Sequence, residues 1–148
     1  MYVGIESADT FVLDDMKRFT IQNDKQFEII QKCEDAGIKV KTMFIIGSPE
    51  DNEETIKKTI EYSTYLPSLY SQYSVFTPYP GTPIYNEFKS IITEKKYENF
   101  NQYNLTFHHK HLDDKKIEKL KSLAYFKFYF NFKRIFKILF YFLKSKYI

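Results

Sequence analysis

The stretch Lys39–Thr55, KVKTMFIIGSPEDNEET, decides the fold class of this chain. Val40, Met43, Phe44, Ile45 and Ile46 make a β-favouring apolar run that stops at Gly47. A turn through Ser48 and Pro49 follows, then acidic Glu50-Asp51 and Asn52, then a helix over residues 53–65. Asp51 or Asn52 suits its N-cap, and Glu53 and Glu54 suit the positive end of its dipole. A strand that feeds a helix through a short polar turn is where open α/β sheets and barrels keep their ligand sites.

Outward from this unit the same grammar repeats. Residues 2–5 read as a short buried strand ending in the polar pair Glu6-Ser7, and a brief helix covers residues 9–17. A longer helix runs over 23–36 with Phe27, Ile29, Ile30 and Cys33 on one stripe and Gly37 as its left-handed stop. Residues 71–76 form a third strand, so strand–helix–strand–helix–strand predicts parallel βαβ units with right-handed crossovers. Three such strands alone leave two open edges. The loop Thr77-Pro78-Tyr79-Pro80-Gly81-Thr82-Pro83 precedes a short helix over 84–89. From residue 112 a long helical tract begins, with Leu120, Leu123, Phe126, Phe130, Ile135, Ile138, Leu139 and Phe142 at helical spacing. Lys127, Lys133, Arg134 and Lys137 interrupt it, so it is not a transmembrane span.

The 148 residues suffice for one domain and its core, and they are rich in Phe (15) and Tyr (13) with no Trp. Charge is divided unevenly. Residues 1–114 carry 12 Lys/Arg against 18 Asp/Glu, whereas residues 115–148 carry 10 basic residues against Glu118 alone. The end of the chain is thus a basic appendage on an acidic body. The lone Cys33 excludes an internal disulfide and fits a reducing, cytoplasmic compartment, and no signal peptide is visible.

In order and spacing, five motifs resemble the C-terminal half of a radical S-adenosylmethionine (SAM) enzyme, of the group that often carries a cobalamin-binding domain. They are Gly4-Ile5-Glu6-Ser7, Met16-Lys17-Arg18-Phe19-Thr20, Ala36-Gly37-Ile38-Lys39-Val40, Phe44-Ile45-Ile46-Gly47-Ser48-Pro49-Glu50 and the Thr77–Pro83 loop. The resemblance implies an α/β fold in which residues 1–90 are half of a partial (β/α)6 TIM-like barrel, contributing its last three strands. Residues 91–148 are then a C-terminal extension with a basic, aromatic, amphipathic helix.

The resemblance also implies a site. Ile45, Gly47 and Glu50 match the family's GxIxGxxE strand signature, with Met43 in place of its first glycine. Ile45 offers an apolar face to adenine, Gly47 permits close backbone approach, and Glu50 can organise the turn by accepting backbone N–H bonds. Glu6 and Ser7 correspond to the polar pair near the ribose and amino-acid end of SAM, and Arg18 to a guanidinium that reaches its carboxylate. Thr77 and Tyr79 line the adenine and substrate side. The family's CxxxCxxC motif, which holds a [4Fe–4S] cluster, is absent, and Cys33 alone cannot replace it. The expected function is therefore that of a fragment. It binds SAM and, with the missing N-terminal half of the barrel, cleaves it reductively to a 5′-deoxyadenosyl radical for chemistry on a small-molecule or lipid-like substrate. Cobalamin would enter through a missing domain. No catalytic or metal-binding residue is assigned within the chain itself.

Plainer readings stand beside these. Gly47–Glu50 also fits an ordinary strand–turn–helix, Glu6-Ser7 a helix-capping pair, Arg18 a solvated surface residue, and Thr77–Pro83 a rigid turn. His108, His109 and His111 read as a solvated strand end rather than a metal site, lacking an i, i+4 pair and thiolates. Residues 124–148 read as an exit helix packed on the barrel or a partner. The alternative is an interfacial helix with its aromatics in the headgroup region at the inner face of a membrane, which would make the chain a non-catalytic docking module. Nucleic acid is not an expected partner, because bulky apolar residues dominate the basic ones.

Overall fold

The computed structural model describes residues 1–19 and 23–145. Thr20, at the end of the Met16–Thr20 motif, and the last three residues of the tail lie outside that range. The order is β1 (Tyr2–Glu6), α1 (Thr10–Asp15), α2 (Asn23–Asp35), β2 (Lys41–Ile46), α3 (Glu53–Tyr65), β3 (Tyr70–Val75), α4 (Pro83–Phe88), a 3-10 turn (Tyr97–Asn99), α5 (Asp114–Tyr129) and α6 (Phe132–Ser145). The three strands form a parallel sheet in the order β1-β2-β3, with Tyr2 opposite Lys41 and Lys41 opposite Tyr70.

Strand alternation sorts the two faces. Thr42, Phe44 and Ile46 of β2 and Ser71, Tyr73 and Val75 of β3 are buried, while Lys41, Met43, Ile45 and Tyr70, Gln72, Ser74 are only half-buried. The buried side meets Ile30 of α2, Ile56 and Ile60 of α3, and Ile117, Leu120, Ala124 and Phe128 of α5 in one core cluster. Thus α5, from the C-terminal segment, shares the core of the sheet. Phe44 and Tyr73 stack at 5.5 Å within it. The Tyr73 hydroxyl donates to Ser63 Oγ at 2.6 Å, because the Ser63 proton goes to the Ile60 carbonyl. Burial pushes the Tyr73 phenol up to about 12.

The expectation of two open edges is corrected at β3. Tyr129 Oη accepts from Ser71 N (3.1 Å) and donates to Ser71 O (2.8 Å). One helical turn earlier, Tyr125 Oη accepts from Tyr73 N at 3.2 Å and lies 3.4 Å from Tyr73 O. Val75 N then donates to Gln102 O at 2.7 Å. The match is geometric: four helical residues rise about 6 Å and two strand residues about 6.6 Å, so phenols four apart meet peptides two apart. A row of peptide groups that would recruit another strand is closed by side chains. Among the described residues, the free edge of β1 has no such cover.

The long C-terminal tract is also two helices rather than one. It breaks after Phe130, where Asn131 Oδ1 accepts Lys133 N at 3.0 Å and Asn131 O accepts Arg134 N and Ile135 N. No helix among the described residues is long and apolar enough to cross a membrane.

Candidate functional site

The carboxyl ends of the strands carry the candidate site. The Gly47–Asn52 turn is built from its own residues. Gly47 has φ +76°, a conformation that favours glycine, and a Cβ there would sit 3.0 Å from Ile117 Cδ1. The room left by the glycine is taken up by α5. Ser48 N donates to Asp51 Oδ2 (3.0 Å), Asp51 N to Ser48 O (2.8 Å) and Thr55 Oγ1 to Asp51 Oδ1 (2.7 Å). Asn52 is the N-cap of α3, accepting from Glu54 N and Thr55 N while Thr55 Oγ1 accepts Asn52 N.

The turn-organising role expected of Glu50 therefore falls to Asp51, whose carboxylate lies inside the turn. Glu50 points outward to Lys110 Nζ, 3.1 Å from Oε2. Burial pushes the Asp51 carboxyl up to about 6, outweighing the bonds it accepts.

His108 and His111 are exposed, as expected of a solvated strand end, but His109 is not. His109 is half-buried against the turn, its Nε2 2.9 Å from Ser48 O. Because Nδ1 accepts His111 N at 3.1 Å, Nε2 carries the proton and the neutral ring fits both contacts. The segment is held there by a bridge between Ile92 and Phe107 and by His108 N donating to Ile91 O. Sixty-one residues separate His109 from Ser48. No local pattern announces that contact.

At the end of β1, Glu6 and Ser7 part company. Ser7 is buried, its Oγ 3.1 Å from Thr59 Oγ1 and accepting Asp9 N, as a capping residue does. Glu6 adopts φ +66° at a break in register and folds back over Gly4, whose Cβ, if present, would lie 2.7 Å from Glu6 Oε1. Arg18 Nη2 approaches the same oxygen at 3.3 Å. Desolvation raises the Glu6 carboxyl above its ordinary value, and Arg18 offsets this in part. With the Arg18 side chain 53% exposed, the pair contributes little to stability and is open to competition from a ligand.

A cleft of about 660 Å³ lies between α1, the turn and the loop after β3, lined among others by Met16, Lys17, Pro49, Glu50, Phe76 and Thr77. It unites Glu50 and Thr77 but not Glu6, Ser7, Arg18, Ile45, Gly47 or Tyr79. Thr77 Oγ1 is within hydrogen-bonding distance of Val75 O (3.1 Å) and Asn101 O (2.9 Å), which leaves its lone pairs as acceptors. Tyr79 is exposed. Ile45 lies on the sheet face without helices, in register with Ser74. Cys33 is half-buried on α2 against the core. Among the described residues no group of three His, Cys, Asp or Glu side chains is placed to share a metal ion.

The pH response of this site has a definite sign. Desolvation holds the His109 pKa below 6.5, so its contribution to stability is present above 6.5 and is lost as pH falls through the folded value. Asp51 acts oppositely: its contribution is present below 3.8 and is lost as pH rises through about 6. In urea titrations, the stability gap between the native chain and His109→Gln should therefore narrow as pH is lowered from above 6.5 to about 5. A constant gap would show that the ring is not held neutral.

No family model matches the chain. It is 28% identical over 142 residues to an uncharacterized methyltransferase of Pyrococcus horikoshii, covering 95% of this chain and 31% of that protein. It is 23% identical over 117 residues to the bacteriochlorophyllide d C-12(1)-methyltransferase of Chlorobaculum tepidum, covering 79% and 26%. It is 29% identical over 101 residues to the anaerobic magnesium-protoporphyrin IX monomethyl ester cyclase of Cereibacter sphaeroides, covering 67% and 16%. The chain thus spans less than a third of the length of each of these relatives, which are methyltransferases and a cyclase.

Proposed function

We propose that this chain is the SAM-binding portion of a radical SAM enzyme and forms half of a partial (β/α)6 barrel. The observation that carries the reading is the pairing of Glu6 with Arg18 beside an uncovered sheet face, at the carboxyl ends of parallel strands. Strand order equal to chain order, with the helices on one face, agrees with the winding of a barrel and supports that half of the reading. Parallel sheets are ordinarily covered on both faces, and the face with Met43 and Ile45, which carries no helix, is the one a barrel would turn inward.

The residues fit the amino-acid end of SAM. A carboxylate and a guanidinium side by side match an α-ammonium and an α-carboxylate, so the ligand would replace the Glu6–Arg18 contact with two charge-assisted bonds. Ile45 offers an apolar surface for adenine, and Glu50 and Thr77 present acceptors at the neighbouring cleft. Tyr79 completes the exposed part of the set that the resemblance assigns, whereas Ser7 is engaged with Thr59 and Gly47 packs on Ile117. One cysteine does not fit a [4Fe–4S] cluster, so those thiolates belong to a complementary barrel half that pairs with the free edge of β1. A reduced cluster in that half would supply the one electron that cleaves bound SAM to methionine and a 5′-deoxyadenosyl radical. The relatives' names support methyl transfer or ring formation on a tetrapyrrole-like substrate as the reaction class.

The test is anaerobic co-expression with a CxxxCxxC-bearing half, followed by iron analysis, SAM binding and assay for 5′-deoxyadenosine. The pair should bind SAM, and Glu6→Ala together with Arg18→Ala should weaken binding by at least about tenfold. A cluster-loaded pair that binds no SAM would sink the reading.

A further inference from the structure

Helix α6 faces the protein with its less apolar side. Arg134 is 8% exposed, and its guanidinium donates to the carbonyls of Thr64 (3.1 Å), Leu66 (3.0 Å) and Ser68. It lies 3.6 Å from the centre of the Phe128 ring. Ile138 and Tyr141, one and two turns on, are half-buried on the same side. The opposite arc carries Phe132, Phe136, Leu139, Phe140 and Leu143, each more than half exposed. Two more exposed rings, Phe126 and Phe130, stack at 4.7 Å just before it. Burial alone would rotate α6 to hide this arc. A guanidinium pinned to three carbonyls prevents the rotation.

We propose that the outer arc of α6 is a docking surface for an anionic lipid bilayer, lying in the headgroup layer. Phe and Leu along one arc with exposed Lys133 at its border is the arrangement that inserts apolar groups while a cation meets lipid phosphate, whereas Lys137 is held on the protein side by Pro67 O and Glu34. Charge division reinforces the orientation, since an anionic surface attracts residues 115–148 and repels the acidic body. A protein groove could cover the rings but would not by itself call for the basic excess of residues 115–148. The position also suits a working enzyme. Arg134 binds carbonyls just before β3, and Lys39 Nζ, just before β2, lies 5.2 Å over the Tyr141 ring. The helix therefore sits at the amino ends of the strands, opposite the cleft, and lipid contact leaves the cleft free. The inference does not depend on which cofactor that cleft takes.

The chain lacks tryptophan, so Phe140→Trp in the full chain installs a sole reporter. Its emission should move to the blue with vesicles of phosphatidylcholine plus phosphatidylglycerol, much less with phosphatidylcholine alone, and revert at high salt. Tyr97→Trp, exposed and distant in sequence, should not respond. In co-sedimentation, Phe136→Ser with Phe140→Ser should lower vesicle affinity at least about tenfold at unchanged helix content. The single-Trp measurement decides the matter if that double variant misfolds. Unchanged Phe140→Trp emission on anionic vesicles would overturn the proposal, as would wild-type binding by a folded double variant. So would a stable dimer in light scattering that ignores vesicles, which would assign the arc to a second copy.

Discussion

Glu34→Ala is expected to cost about 3–5 kcal/mol of folding stability. Glu34 is 7% exposed at the end of α2. Its Oε1 accepts Val40 N at 2.7 Å and Leu69 N at 3.1 Å, the peptides that lead into β2 and β3. Its Oε2 lies 3.4 Å from Lys137 Nζ and 3.7 Å from Lys39 Nζ. One carboxylate thus ties a helix to the starts of two strands and to the C-terminal helix. Alanine leaves two buried N–H donors without a partner, each costing about 1–3 kcal/mol. Glu34→Gln keeps an acceptor oxygen and should cost only about 1–2 kcal/mol. Urea denaturation of the three proteins checks the order, and equal midpoints for Ala and Gln would show that the N–H bonds are not the source.

Arg134→Met is expected to lower stability by about 2–4 kcal/mol and to release α6. Methionine retains the packing volume over Phe128 but leaves the Thr64, Leu66 and Ser68 carbonyls without their donor. Two of these close the C-terminal end of α3, where a cation also favours the helix dipole. Burial lowers the guanidinium pKa to about 10, so it remains charged at neutral pH and its loss is the loss of a cation. Limited trypsin digestion should then cut at Lys133 and Lys137 well before the rest of the chain. Unchanged cleavage would mean that α6 is held by Ile138 and Tyr141 instead.

Where the signal is local, reading and structure coincide. The expected helix over 53–65 has the observed bounds because Asn52, Thr55 and the first-turn acids act within one turn of each other. Gly37 ends α2 with φ +83° for the same reason. An asparagine inside an apolar helical run is the local signal of the Asn131 break, although helical periodicity continues on either side of it. At the candidate site, Glu6 and Arg18 were both singled out for a ligand, and the structure places them against each other. Ser7, read with Glu6 as one pair, turns inward because alternate strand positions face opposite ways.

What sequence alone determined is the class of fold, three parallel strands each ending in a polar turn, because periodicity and capping chemistry are properties of neighbouring residues. Tertiary structure alone decided that Tyr125 and Tyr129 close the edge of β3, that His109 seats on Ser48, and that Arg134 turns the aromatic arc of α6 outward. These contacts join groups 52 to 70 residues apart. Their energy depends on distances that only the packed core sets, and no local pattern along the chain encodes them.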